Sequence, residues 1–339
     1  WEQWANDIAD IAERHITQIN KIIHKEGSKP QKAFDKYFKS LKNSINPSVT
    51  EQDAVEMLAQ HFITKPVFEA LFENYSFAQN NAISKGLSGM VSILNEQTPK
   101  EDNEKLERFY NSVKERAKGI DNAESKQKII IELYDKFFKT AFPKTVEMLG
   151  IVYTPVEVVD FIINSVEDVL KKEFGRSISD ENVHVLDPFT GTGTFIVRLL
   201  QSGIIKPEDM GRKYRNELHA CEIVLLAYYI ASINIENSYH DFVQEHKQEI
   251  QESEDEQFWK EKPFAADSPF SREEIEYKSF DGIVLTDTFQ MTEDNSALIE
   301  DVFPQNSTRV NKLKKTPLTV IFGNPPYSVG QKSANDTAQ

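Results

Sequence analysis

A chain of 339 residues and 38.9 kDa is long for one domain and short for three, so two are expected. Its 39% hydrophobic content and 22 Phe can build real cores and exclude a wholly disordered chain, and no run nears the ~20 apolar residues of a membrane span. The net charge of -15 is uneven: residues 1–150 carry 21 Lys+Arg against 22 Asp+Glu, and residues 151–339 carry 18 against 32, which is not the footprint of an autonomous nucleic-acid binder. The single cysteine, Cys221, excludes an internal disulfide framework. Without Cys/His clusters a structural zinc site is not expected either, and a reducing, cytoplasmic setting is.

The first 147 residues read as helical. Trp4, Ile8, Ile11, Ala12, His15, Ile16, Ile19 and Ile22 recur at steps of three and four, the spacing of one helix face. Gly27-Ser28-Lys29-Pro30 should end that helix. A second helix over 31–43 would bury Phe34, Phe38 and Leu41. Thr50, followed three positions later by Asp53, has the form of a capping box before a helix carrying Val55, Leu58, Ala59 and Phe62. Further helical patterns cover 66–74, 103–118 and 124–140. Lys21, Lys25, Lys29, Lys32, Lys36 and Lys39 are spaced by three or four, but Gly27 and Pro30 interrupt the stripe, so solvated helix faces are expected.

Near Gly150 the pattern changes. Short apolar runs at 183–187, 218–222, 282–286 and 318–323 read as buried strands, and 156–170, 193–200 and 224–235 read as helices between them. Strand alternating with helix is the signature of a parallel sheet. The expectation is an all-helical domain over 1–147 and an α/β domain over 148–339. A charged stretch at 240–281, with 13 acids and 5 bases in Asp241 to Asp281, reads as a surface insertion.

Two motifs stand at predicted strand ends. In Asp187-Pro188-Phe189-Thr190-Gly191-Thr192-Gly193-Thr194-Phe195, a strand ends on a carboxylate, a glycine-bearing turn follows and a helix begins. Gly191 and Gly193 permit a sharp bend and close approach of a ligand. A dinucleotide fingerprint would need a third glycine where Ile196 stands, so a pyrophosphate site is disfavoured. An acid before the turn suits a ligand bearing an amino group. In Asn324-Pro325-Pro326-Tyr327, two prolines hold the chain extended and leave carbonyl acceptors, Asn324 adds another acceptor and Tyr327 a flat face. That set can grip a planar group carrying an NH2. Glu222 and Asp287 end or follow the other two strands, where a carboxylate can hold a ribose diol or an adenine amino group. His61 and His219 lack spaced metal partners and read as structural, and Cys221 as buried and inert.

These motifs resemble the S-adenosylmethionine and catalytic motifs of N6-adenine DNA methyltransferases, in the order of the gamma class. Tyr153-Thr154-Pro155 is similar to the cofactor motif that class carries just upstream. The resemblance is nearest to the methyltransferase region of type ISP single-chain restriction-modification enzymes, and Gln60-His61-Phe62-Ile63-Thr64-Lys65-Pro66-Val67-Phe68 is similar to their preceding helical coupler. It covers about 50–339 and implies a truncated Rossmann-like S-adenosylmethionine-dependent methyltransferase sheet. It also implies that Asp187, Pro188, Thr190, Gly191, Gly193 and Phe195 line the methionine end, with Tyr153, Thr154 and Pro155 beside them. Glu222 would hold the ribose, Asp287 the adenine, and Asn324, Pro325, Pro326 and Tyr327 the flipped target base. No metal is implied. Double-stranded DNA is the implied partner, with translocase and nuclease domains in a longer parent chain. Trp1 at the start and an end 12 residues after Tyr327 fit a piece of such a chain, expected to methylate little by itself. Two other readings stay open: methylation of protein glutamine, whose carboxamide is also planar, and a non-catalytic helical coupling scaffold.

Overall fold

The computed structural model describes residues 2–71, 80–95, 111, 115, 154–246, 278–293 and 302–326. Helix α1 spans Glu2–Ile23 and buries Ile11, Ala12, Ile19, Ile22 and Ile23 on the expected face. The tetrapeptide read as a stop also starts the next helix, α2, Lys29–Ser44. Gly27 turns the chain at φ +70°, Ser28 Oγ accepts from Gln31 N at 3.2 Å, and Pro30 sits in the first turn, where its missing N–H is not needed. The capping box closes as expected: Thr50 Oγ1 accepts from Asp53 N at 3.2 Å, and Asp53 Oδ2 accepts from Thr50 N at 2.8 Å.

Helix α3, Glu51–Leu71, departs from the sequence reading by running straight through Pro66, where a separate helix over 66–74 was expected. Pro66 lacks one intrahelical donor, and the burial of Ile63, Val67 and Phe68 around it holds the helix together. Helix α4 follows at Ala82–Asn95. The helices expected at 103–118 and 124–140, apart from helical residues 111 and 115, and the boundary at 147, lie outside the described residues.

From residue 154 the chain alternates as read. Helix α5 (Val156–Val169) precedes strand β1 (His184–Asp187), then α6 (Thr194–Gln201), α7 (Pro207–Arg212), β2 (Leu218–Glu222), α8 (Leu225–Glu245), β3 (Ile283–Leu285), α9 (Thr288–Glu293), α10 (Pro304–Leu313) and β4 (Leu318–Ile321). All pairings are parallel, in the order β3-β2-β1-β4. The chain therefore steps outward from β1 to β3 and then returns to the other side of β1. That reversal makes β1 and β4 a topological switch point, and crevices form beyond the carboxyl ends of such strands.

One correction concerns the charged stretch at 240–281. Its first residues are packed helix, because α8 continues to Glu245. Tyr239 stacks on Tyr214 at 3.7 Å, Val243 is buried, and Phe280 N donates to Glu236 Oε1 at 2.9 Å. Aromatic contacts outweigh the polarity of the neighbouring sequence; residues 247–277 lie outside the described set.

The helices of the first region pack directly on the sheet region and share its apolar core. Tyr37 meets Phe303 edge-on at 6.2 Å, Phe68 meets Tyr229 at 5.9 Å, and the Tyr229 hydroxyl lies 2.8 Å from His61 Nδ1. Val302 N donates to Ser40 Oγ at 3.2 Å. Among the described residues no helix is long and apolar enough to cross a membrane.

Candidate functional site

The site forms where the parallel strands end. Strand β1 delivers Asp187, whose side chain is fully buried. Its Oδ1 accepts from Phe189 N at 3.1 Å, which begins the turn, while Oδ2 is buried with no partner. Burial pushes the Asp187 carboxyl up to about 7, and the neighbouring Glu222 adds to the rise. Strand β2 delivers Glu222, also pushed up to about 7 by burial.

Glu222 does a second job. Its Oε2 accepts from Gly191 N at 2.7 Å, and its Oε1 accepts from Ile223 N at 2.9 Å and Val224 N at 2.7 Å. The carboxylate thus ties the glycine turn after β1 to the end of β2. A carboxylate has about four acceptor sites, so a ligand diol would take the one left and share or displace a backbone donor.

The turn itself is closed by Thr190 N donating to Cys221 O at 3.0 Å and Gly193 N to Thr190 O at 2.9 Å. Both glycines are left-handed, Gly191 at φ +57° and Gly193 at φ +89°, for different reasons. A Cβ on Gly191 would meet open space, so only its backbone conformation demands glycine. A Cβ on Gly193 would come within 3.2 Å of Ala231 Cα, so there the close approach is to α8 rather than to a ligand. Phe195 lies under the turn, buried and stacked on Phe322 at 5.2 Å.

Strand β4 brings the second motif alongside. Phe322 N donates to Leu186 O at 3.1 Å, and a Cβ on Gly323 would sit 2.7 Å from Asp187 Oδ1. Glycine at 323 is what lets the chain pass Asp187; Asn324 follows it half-buried, with Pro325 and Pro326 exposed beyond. Tyr327 and Tyr153 lie outside the described residues, and Thr154 and Pro155 lead into α5.

Asp287 follows β3. Its Oδ1 caps α9, accepting from Phe289 N at 2.9 Å and Gln290 N at 3.2 Å, while its Oδ2 accepts from Asn46 Nδ2 at 2.5 Å. Thr288 Oγ1 donates to Pro188 O at 2.7 Å, so the end of β3 is laced to the turn after β1.

The sequence reading missed the apolar rim. Phe189 and Phe289 meet with centroids 5.4 Å apart, Phe289 is 60% exposed and Ile223 is 36% exposed. Exposed large apolar side chains beside buried acids make a surface that can cover a flat ring. Their one sequence signal was position, one or two residues past each strand-end acid. His219 and Cys221 are structural as read: His219 stacks on His184, and burial pushes the Cys221 thiol up to about 12.

Comparisons with known proteins find likenesses in sequence and fold. Residues 1–125 match the family model "Type ISP restriction-modification enzyme, coupler domain". The chain is similar to a nuclease-deletion mutant of the type ISP restriction-modification enzyme LlaGI, solved with a DNA substrate mimic. The identity is 46% over 99% of this chain and 25% of that one, with a TM-score of 0.80. It is similar to the ATP-dependent type ISP enzyme LlaBIII bound to DNA, at 48% identity over 98% of this chain and 20% of that one, with a TM-score of 0.82. A DrdV–DNA complex matches at 29% identity over 98% of this chain and 30% of that one, with a TM-score of 0.76. A search of curated proteins found no match. The chain thus spans a quarter or less of the two type ISP enzymes. Residues 1–125 match the coupler domain of type ISP restriction-modification enzymes, and the chain as a whole is similar to one region of those enzymes.

Proposed function

We propose that this chain is the coupler and the cofactor-binding half of an adenine-N6 DNA methyltransferase within a type ISP restriction-modification enzyme, working on double-stranded DNA. The observation that carries the catalytic part is the buried, unpartnered Oδ2 of Asp187, at the switch point beside Glu222 and the backbone of Gly323. A buried carboxylate without a cation is costly unless a ligand supplies one. S-adenosylmethionine fits the donor set: an amino group for Asp187, a diol for Glu222, and an adenine for Asp287 and the Phe289 and Ile223 rim.

When bound, the cofactor supplies an electrophilic methyl group on sulfur. The chain's own residues do the rest. Asp187 anchors the amino end, and the Gly191 turn beside it is held by Glu222. Asn324 Oδ1 and the Pro325 carbonyl accept hydrogens from the target amine, which raises the nitrogen's nucleophilicity and holds it in line. Positioning and fixed dipoles supply the rate gain. The base must leave the duplex to reach Asn324, and Tyr327 supplies a ring for it to stack on.

A second reading has its own support. The coupler match over residues 1–125 fits a part that transmits movement, with the sheet serving as scaffold. Calorimetry with S-adenosylmethionine separates the two, followed by transfer of labelled methyl to duplex DNA or to protein substrates by the intact enzyme. Binding weakened by Asp187→Ala, and label in DNA lost in Asn324→Ala while cofactor affinity holds, supports methylation of DNA. No binding at all leaves the coupling scaffold, and label in protein alone would point to glutamine methylation.

A further inference from the structure

Asn46 joins the two regions at one polar contact. It lies in the α2–α3 turn, 241 positions before Asp287, and its side chain is held from both ends. Its Oδ1 accepts from Ser48 N at 2.7 Å and Ser48 Oγ at 2.6 Å, which fixes the amide so that Nδ2 faces Asp287 Oδ2 at 2.5 Å. Asp287 is pinned in turn: Oδ1 holds the backbone of α9 and Oδ2 holds Asn46, so the carboxylate plane has two anchors. Release of Asn46 frees the plane to rotate about the remaining anchor. The same helix start carries Phe289, whose ring meets Phe189 on the turn after β1. The orientation of Asp287 and the rim beside it therefore depends on a residue of the helical coupler region.

We propose that Asn46 is a positioning residue for Asp287, through which the coupler sets how well the site selects an adenine over other bases on the cofactor. This rests on the S-adenosylmethionine reading above. A carboxylate oxygen has two acceptor sites, so Oδ2 can keep Asn46 and still accept a second donor. An adenine offers its amino hydrogens there. A 6-oxo base offers an oxygen instead, which meets the carboxylate lone pairs and is rejected. The selectivity depends on the oxygen being held in place, and Asn46 does the holding. The coupling runs in both directions, so a bound adenine also steadies the α2–α3 turn.

The test is calorimetry on the intact protein with S-adenosylhomocysteine and its inosine counterpart, reading the ratio of the two affinities. Asp287→Ala should bring that ratio near one. Asn46→Ala should lower it about threefold to tenfold, the worth of one hydrogen bond. Asn46→Asp is the decisive variant: it keeps the oxygen that receives Ser48 and hence the turn, but sets a second acid against Asp287. It should lower the ratio about tenfold or more, as like charges do at contact distance. If Asp287→Ala collapses the ratio while both Asn46 variants leave it at the wild-type value, the positioning role is wrong and the cofactor reading stands. If the ratio is near one in the wild type, or neither ligand binds, the adenine assignment of Asp287 fails and the Asn46 proposal fails with it.

Discussion

At the amino end of the sheet, Glu217 lies between Lys213, at 2.8 Å, and Arg212, and also accepts from Asn182 N at 2.8 Å. Lys213 is wholly buried and spends its other hydrogens on Asp180 O at 2.7 Å and Val183 O at 2.8 Å. At the carboxyl end, Asp187 and Glu222 are as deeply buried and meet backbone donors, but none of the ion pairs described at the sheet includes them. Their pKa values split accordingly. Burial would raise Glu217, but hydrogen bonds from Lys213 and the Asn182 backbone hold it below the usual carboxylate range, whereas Asp187 and Glu222 rise to about 7. A buried acid with its cation built in is a structural clamp. A buried acid without one is a candidate to take donors from a ligand.

The contrast is tested most harshly at Lys213. Lys213→Ala strips Glu217 of one cation and two carbonyls of their donor, and should cost about 3–5 kcal/mol of folding stability in urea denaturation. A loss below about 1 kcal/mol would mean the clamp is no tighter than a surface pair. Asp187→Asn should behave oppositely. Stability of the ligand-free chain at pH 8 should hold or rise, while S-adenosylmethionine binding weakens by ~1.5–3 kcal/mol through loss of a charge-assisted contact. Equal damage to folding in both variants would erase the distinction.

The pH dependence sharpens it further. The folded values of Asp187 and Glu222 lie above their ordinary 3.8 and 4.5, so the folded chain keeps protons that the unfolded chain gives up. Their contribution to stability is present at low pH and fades as pH rises through about 7. Glu217 runs the other way: its contribution is present above its ordinary 4.5 and is lost as pH falls through its lowered value. Cofactor affinity should therefore climb about tenfold between pH 5.5 and 7.5, as Asp187 ionises to meet an ammonium group. A flat profile by calorimetry would remove Asp187 as the ammonium partner. The smallest effect is expected at the glycine turn after β1. Gly191→Ala should cost about 1–2 kcal/mol, from left-handed backbone alone, and Gly193→Ala more, since its new methyl meets α8. Equal melting temperatures for the two variants would show that the approach of α8 does not matter.

Much of this was legible in residue order. The apolar face of α1, the Thr50–Asp53 capping box and the four strands follow from the period of 3.6, from local cap chemistry and from short apolar runs, which act within a few residues. The acids at the ends of β1 and β2 and the glycine turn were equally visible, because a strand–turn–helix writes its requirements into neighbouring positions.

Other features needed the tertiary structure. Periodicity does not encode strand order, so nothing local says that β4 returns beside β1 and brings Gly323 against Asp187; packing in three dimensions decides that. The run of α3 through Pro66 and of α8 into the charged stretch depends on apolar partners far along the chain, which outweigh local propensity. The contact of Asn46 with Asp287 crosses 241 positions and leaves no trace at either one. Whether a buried acid is held by a cation is decided only in part this way. Glu217 lies just before β2 with its cations four and five positions upstream, whereas the burial of Glu222 at the end of β2 is set by the elements that folding packs around it.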